Sequence, residues 1–516
     1  MKASLDKKQQ RFPGTGRAHT QNISAWAPAI ILLFLVAAGA FLRFSDLSAP
    51  LLDFHPTRQL FGAIKARGLY YQTLPDAPAW QKDMAQRQYS GEATIEPPLM
   101  EHLAARLYGI FGEQTAIPRA FSAFFWLLGG LFLFLLARNL SASGPAATCS
   151  LVFYLLLPYA VTASRAFQPD PLMLMLILAF WWSMENWGRN PSWKWTLLAG
   201  ISGGLAIFVK FPAAFFVLGG AFGAIFAHTN LLKAIKRPQT WAMALLGLLP
   251  PAIYLYYGLY MNGFLGQQFG SRFYPELWID PYFYLRWFLK VQDVANVLWI
   301  LLALFGWLFF TSRPAKVYLA GLWAVYLVYG LAFAHHISSH DYYSLPLIPI
   351  IALCLAPLAA HFLPVFLKQL RHVYRASRLA PLTALALLLG ALTLASVSQY
   401  IQQRTNDQRS QAVFWAQVGD AIGHQPGVLA LTTDYGYPLE YYGWQNSDPW
   451  PLAPDIKNFD ETFSHLSANK TYFLVTDFDE YARQPKLQQR LTKNYPVLAQ
   501  GNGFIIFDLY HPIPEK

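Results

Sequence analysis

The sequence predicts a multi-pass α-helical membrane protein, with about 11 transmembrane helices and a small C-terminal α/β domain outside the membrane. Three observations carry this. Of 516 residues, 55% are apolar and only 13% charged, about half the charge of an ordinary soluble chain. Apolar runs near the roughly 20-residue length that crosses a bilayer recur between residues 26 and 397. Beyond residue 398 they give way to short apolar strands and one amphipathic stretch.

Residues 1–25 are read as a cytoplasmic tail and residues 26–397 as the membrane domain. The predicted spans are 26–44, 116–137, 145–163, 171–184, 195–209, 212–227, 241–262, 294–311, 317–334, 343–362 and 379–397. The first is longer than a secretory signal core of about 7 to 15 residues and follows a long polar leader, so it is read as an uncleaved anchor. With the N-terminus inside, alternate loops carry Arg138, then Arg189 and Lys194, then Lys233, Lys236 and Arg237, then Arg313 and Lys316, then Lys368, Arg371, Arg375 and Arg378. The positive-inside rule and an odd span count therefore agree. The expected location is a bacterial inner membrane, with the C-terminus extracytoplasmic. Residues 398–516 form the outer domain, with strands at 427–433 and 471–476, a helix at 479–493 and a closing strand pair at 497–499 and 503–509.

The chain has 39 Lys and Arg against 28 Asp and Glu, a net charge of +11. In a soluble protein this would suggest nucleic acid; here it marks cytoplasmic loops, and no nucleic-acid partner is expected. Cys149 and Cys354 are the two cysteines, both in apolar runs, which excludes a disulfide framework or a zinc cluster. Within the predicted spans ionisable groups are rare, Arg119 and His361 standing near opposite ends. Ion-coupled carriers keep acids or bases at mid-membrane depth, so a pump is disfavoured.

Charge survives at the outer span ends. The first outer loop, residues 45–115, opens with Leu51-Leu52-Asp53-Phe54-His55-Pro56-Thr57-Arg58, and Leu60, Phe61 and Ile64 then mark a helix lying in the interface. Asp53 is placed to act on a substrate whose lipid tail lies in the bilayer; the plainer alternative is a helix cap or a partner for nearby cations. Glu96 precedes Pro97 and Pro98, which favours an extended backbone, ahead of a second surface helix carrying Glu101 and Arg106. Arg165 and Asp170 share a short outer turn, Lys210 sits between two spans, and Arg272 lies in a long outer loop. His335, His336, His340, Asp341, Tyr342 and Tyr343 close the set. Arginine and lysine at this depth can hold a lipid phosphate, although isolated cations also reach phospholipid headgroups. A divalent metal is left open, with Glu96 and His55 as ligand candidates.

Taken together these residues resemble a known family. The acid after the first span, the Glu96-Pro97-Pro98-Leu99 stretch, Pro118-Arg119-Ala120-Phe121-Ser122-Ala123, the turn from Tyr159 to Asp170, Gly203-Gly204-Leu205-Ala206 before Lys210, and Tyr342-Tyr343-Ser344-Leu345-Pro346 are similar to the clan C glycosyltransferases. The resemblance covers residues 26–360 and is greatest to protein O-mannosyltransferases and lipid A aminoarabinose transferases. It implies inverting transfer of a sugar from a polyprenyl-phosphate to a lipid, glycan or protein acceptor on the outer face. It implies Asp53 as the base and Glu96 as the second acid. Arg58, Arg165, Lys210 and Arg272 are the candidates for the donor phosphate, with His340 and Tyr342 behind them, and His55, Asp170, Asp341 and Tyr343 nearby. Two departures stand out: Phe54 replaces the family's second adjacent acid, and Pro97 stands where the aminoarabinose enzymes carry a lysine. The competing readings are a carrier of lipid-linked saccharide and a noncatalytic envelope scaffold.

Overall fold

A computed structural model of the chain describes residues 18–266, 272–373 and 408–514, with isolated helical positions between 391 and 402. Most of the N-terminal tail, the predicted span 379–397 and the loop cations Arg375 and Arg378 lie outside the described residues.

Helix α1 (Ala18–Phe44) leads into the outer loop, which folds into α2 (Pro56–Tyr71), α3 (Ala79–Gly91) and α4 (Leu99–Phe111). The membrane bundle continues through α5 (Ala116–Ser141), α6 (Gly144–Leu156), α7 (Pro158–Ala163), α8 (Asp170–Arg189), α9 (Trp193–Val209) and α10 (Ala213–His228). After the short α11 (Leu231–Ile235) come α12 (Pro238–Tyr256), α13 (Pro281–Ala295), α14 (Val297–Leu308), α15 (Arg313–Ala332), α16 (Ala334–Ser339) and α17 (Leu347–Val373). Among the described residues three helices are long and apolar enough to cross a membrane alone, and several shorter apolar helices pack among them.

Local chemistry explains where the observed elements depart from the predicted spans. The run 145–163 is broken at Leu157 (ψ 124°), because Pro158 cannot continue a helix without losing a backbone bond. The outer loop before the span at 294 contains a helix of its own, α13, which meets α14 at 86°; Asn296 makes the corner at φ 55° and its side chain accepts from the backbone of Leu298. Close crossing of α10 and α15 rests on glycine, since a Cβ at Gly321 would sit 3.0 Å from Gly223 Cα. The bundle core is continuous from Leu35 to Cys354.

The C-terminal domain has a five-stranded sheet, β1 (Val428–Leu431), β2 (Asp448–Pro449), β3 (Tyr472–Val475), β4 (Val497–Gly501) and β5 (Phe504–Asp508), in the order β2-β1-β3-β5-β4. β1 runs parallel to β2 and β3, while β5 is antiparallel to β3 and β4. Alternation along β1 separates two cores: Leu429 and Leu431 join Trp450, Phe463 and Leu487 on one face, and Val428 and Ala430 join Trp415, Val418 and Leu439 on the other. The predicted strands are all present. The helix expected at 479–493 is two, Phe478–Ala482 and Pro485–Asn494, divided where Pro485 starts a new first turn.

This domain docks on the outer loop through Tyr437–Trp444. Tyr441 joins Leu51, Leu60, Ile64 and Tyr108 in one apolar cluster, and the Tyr442 hydroxyl accepts from Leu51 N at 2.7 Å. Arg67, on α2, is buried. It pairs with Glu113 at 2.9 Å, donates to Tyr441 O at 2.7 Å and lies 4.0 and 3.9 Å from the ring centres of Tyr441 and Trp444. Removing one member of a buried ion pair leaves the other uncompensated, at a cost of about 3 kcal/mol. Arg67→Ala should therefore lower the thermal unfolding midpoint of the purified protein and expose the segment around Trp444 to protease; an unchanged midpoint would mean that Arg67 does not anchor the domain.

Candidate active site

The charges singled out in the sequence meet at the end of the bundle that carries the outer loop. Helices α5, α8 and α10 start there, with Arg119 in the first turn of α5, Asp170 opening α8 and Ala213 opening α10, whereas α9 ends there just before Lys210 and α15 at Ala332. The opposite end holds Arg138, Arg189 and Arg313, where Arg189 and His228 both pair with Glu185.

Asp53 is fixed by a fork. Arg119 donates from Nη2 to Oδ1 at 2.8 Å and from Nη1 to Oδ2 at 3.0 Å; the arginine is fully buried and the aspartate side chain 18% exposed. The same guanidinium donates to Ala49 O and Pro50 O, so one α5 side chain shapes the turn and holds its acid. Gln59 completes the brace: Nε2 donates to Phe54 O at 2.6 Å and to Asp53 Oδ1 at 3.3 Å, while Oε1 accepts from Phe167 N at 3.1 Å. Burial pushes the Asp53 carboxyl up, but Arg119, with smaller contributions from Arg165 and Gln59, outweighs it and leaves the pKa below 3.8. Arg165 donates from Nη2 to Asp46 O at 2.9 Å. The position of Arg119, a lone charge in an apolar run, was the sequence signal for its role.

Glu96 lies in the irregular segment between α3 and α4, as a residue before proline should. Arg58 Nη2 reaches both of its oxygens, at 2.8 and 2.7 Å. Burial again pushes the carboxyl up, and Arg58, Lys210 and Arg272 together hold it below the ordinary value. Lys210 is itself paired: Nζ lies 2.9 Å from each oxygen of the buried Asp170 and 5.1 and 5.4 Å from the ring centres of Tyr342 and Tyr343. That ion pair joins the start of α8 to the end of α9.

His55 stands between the two acids in sequence and joins the site to the segment before α17. It adopts φ 45°, ψ 70° immediately before α2, a left-handed conformation costly for a residue with a Cβ. Its Nε2 lies 2.6 Å from Asp341 Oδ1, and its ring meets Phe54 and Tyr342 edge-on at 4.6 and 4.8 Å. His340 is packed edge-on against Tyr342; burial, then the charges of His55 and His335, lower its pKa and keep it neutral.

Beside Glu96 opens a cavity of about 260 Å³, lined by Ile95, Phe211, Phe215, Phe273 and Phe333 with Arg272 at its wall. The candidate residues thus form two neighbouring groups, Asp53 with Arg119 and Arg165, and Glu96 with Arg58, Lys210, Asp170, Arg272 and Tyr342. Arg58 and Lys210, expected to meet a phosphate, already neutralise acids. Glu96 and His55 are each engaged elsewhere, and among the described residues no group of three His, Cys, Asp or Glu side chains could hold a metal ion.

Comparison with solved structures agrees with this architecture. ArnT from Cupriavidus metallidurans bound to undecaprenyl phosphate is similar with a TM-score of 0.52 at 14% identity, covering 95% of this chain and 98% of that one. Its apo state gives 0.57 at 15% identity, over 94% and 98%. The chain has the clan C glycosyltransferase fold. The archaeal oligosaccharyltransferase AglB from Archaeoglobus fulgidus, in complex with an inhibitory peptide and a dolichol-phosphate, shares this fold at a TM-score of 0.50 and 11% identity, over 95% of this chain and 75% of that one. Residues 95–257 match the family model for dolichyl-phosphate-mannose-protein mannosyltransferase, a stretch that includes Glu96, Arg119, Arg165, Asp170 and Lys210. No curated protein sequence matches the chain. The clan C resemblance read from the motifs therefore holds in both sequence and fold.

The Arg119 fork makes a directional prediction. Because the folded Asp53 pKa lies below 3.8, the pair's stabilisation is present above that value and is lost as pH falls through the folded pKa. The gap in thermal midpoint between the native chain and Asp53→Asn should hold from neutral to about pH 5 and shrink below about pH 4. A gap that widens on acidification would contradict the assignment.

Proposed function

We propose that the protein is an inverting glycosyltransferase that takes a sugar from a polyprenyl-phosphate and passes it to a hydroxyl acceptor on the extracytoplasmic face of the membrane. The observation that carries this is the cavity beside Glu96. Its walls are phenylalanine and other apolar groups, and its polar features are one carboxylate and one guanidinium. An isoprenoid chain suits the apolar wall and a phosphate suits Arg272. The undecaprenyl phosphate and dolichol-phosphate bound by proteins of the same fold support the reading.

In the proposed chemistry the acceptor hydroxyl attacks the anomeric carbon as the bond from that carbon to the phosphate oxygen breaks, and the hydroxyl proton passes to Asp53. Arg119 keeps Asp53 ionised and aimed, at the expense of base strength. That compromise suits a hydroxyl whose proton becomes acidic only as its oxygen bonds to carbon. Glu96 orients the sugar, and Arg272 with Lys210 meets the charge that develops on the departing lipid phosphate. The tight pairs of Arg58 with Glu96 and Lys210 with Asp170 hold these groups still before substrate arrives. The buried charges lie at helix ends, which suits chemistry at the interface and does not suit a carrier. The sugar and acceptor classes remain hexosyl or pentosyl and lipid, glycan or protein.

Purified protein given labelled polyprenyl-phosphate sugars and membrane-lipid or glycan acceptors should transfer label, and Asp53→Asn should slow transfer by about 10²- to 10⁴-fold. Transfer by the variant at the native rate would remove Asp53 as the base. Arg272→Ala should raise the KM for the lipid-linked sugar by about tenfold while leaving the acceptor KM unchanged; equal effects on both would argue against a phosphate contact.

A further inference from the structure

Behind Glu96 lies a second, much smaller space. It is a crevice of about 10 Å³ lined by Glu96, Glu101, Lys65 and Phe61 with Pro97 and Pro169, which is room for a single water molecule. Glu101 is the third residue of α4, half-buried, with its carboxyl against α2: a Cβ placed on Gly62 would lie 3.5 Å from Glu101 Oε1. Lys65 is already committed, donating to Ala93 O at 2.8 Å and lying over the Phe61 ring at 4.8 Å. Glu101 makes no hydrogen bond to another side chain among the described residues. Neither the fork on Asp53 nor the pairing of Glu96 with Arg58 uses it.

We propose that Glu101 is a positioning residue for Glu96: across this crevice its neutral carboxyl donates, through one water, to the Glu96 carboxylate. A protonated carboxyl carries an O–H donor and an ionised one carries none. Arg58 supplies Glu96 with one nitrogen shared between two oxygens, which leaves acceptor capacity for a further donor. Burial and the neighbouring charge of Glu96 push the Glu101 carboxyl up to about 7, against the lowering pull of its own backbone N–H, Arg58 and Lys65. The groups facing it are thus Arg58 and Lys65 from α2 and Glu96 from the preceding segment, while His102 and Arg106 on its own helix are exposed.

The consequence is a pH dependence at the cavity. Below about pH 7 Glu101 is neutral and steadies Glu96. Above it, Glu101 loses its proton, ceases to donate and places a second negative charge beside the cavity that Glu96 shares with Arg272. Binding of an anionic lipid phosphate should then weaken. This last step rests on the lipid-phosphate reading of that cavity.

The test measures binding of undecaprenyl phosphate to the full-length protein in nanodiscs from about pH 6 to about pH 8, for the native chain, Glu101→Gln and Glu101→Leu. A phosphate monoester itself titrates near about pH 6, so the quantity read is the ratio of native to Glu101→Gln affinity at each pH. That ratio should stay level at low pH and fall toward about tenfold per unit above the midpoint. Glu101→Leu, lacking any donor, should bind several-fold more weakly than Glu101→Gln at every pH. A level ratio throughout, or equal binding by the two variants, would overturn the proposal. Infrared difference spectra on the same samples keep the test independent of the ligand: Glu92 also titrates at about 7, so the band is read as the native spectrum minus that of Glu101→Gln, and this difference should hold a protonated-carboxyl band that fades through about pH 7. If the native protein binds no undecaprenyl phosphate, the cavity reading fails, and the infrared band then decides the fate of Glu101 alone.

Discussion

A buried charge has to find counter-charge or hydrogen-bond partners inside the protein, and the end of the bundle that carries the 45–115 loop is organised around that constraint. The Arg119–Asp53 fork is its clearest case. An isolated guanidinium on α5 would be too costly to bury; paired with Asp53 and two carbonyls it fastens the turn after α1 to the start of α5. Arg58–Glu96 joins α2 to the segment before α4, Lys210–Asp170 joins α9 to α8, and His55–Asp341 brings in the segment before α17. Each pair is a structural tie between segments that carry the proposed functional groups.

This arrangement divides labour between the two acids. Asp53 is the more rigidly held and lies among arginines. Glu96 faces open space on two sides, the apolar cavity with Arg272 and the one-water crevice with Glu101. A lipid-linked sugar, the proposed donor, needs both kinds of surface, apolar for the chain and charged for the headgroup, and the apolar cavity lies between the ends of α9, α10 and α15. The outer domain closes the opposite flank through Tyr437–Trp444, with Tyr437 donating to Glu92 at 2.9 Å and Thr57 to Asp434 at 3.4 Å. Burial pushes Glu92 up to about 7, so this contact, too, carries a proton near neutral pH.

Much of this was legible in the sequence, because bilayers impose strong rules. Low charge, apolar runs and basic loops located the bundle, and the two prolines after Glu96 placed it in irregular backbone. Short, continuous apolar runs placed β1 and β3 as buried strands. What sequence could not show was pairing at long range. Arg58 and Lys210 read as free cations because their partners stand 38 and 40 residues away, and the anchoring role of Arg67 was out of reach because its aromatic neighbours are more than 370 residues distant. Helix α13 escaped because its length and polarity resemble a loop, and Glu101 escaped because a helix-start acid is ordinary until the crevice behind it is seen.

The central claim is that the cavity between Glu96 and Arg272 receives the lipid phosphate. The most direct measurement is photocrosslinking with a polyprenyl phosphate bearing a photoreactive group in its first isoprene unit, followed by peptide mapping. The account requires labelling concentrated at Phe211, Phe215 and Phe333, displaced by unlabelled polyprenyl phosphate and reduced in Arg272→Ala. Labelling confined to the lipid-facing surfaces of α12 or α14, and indifferent to competitor, would contradict it.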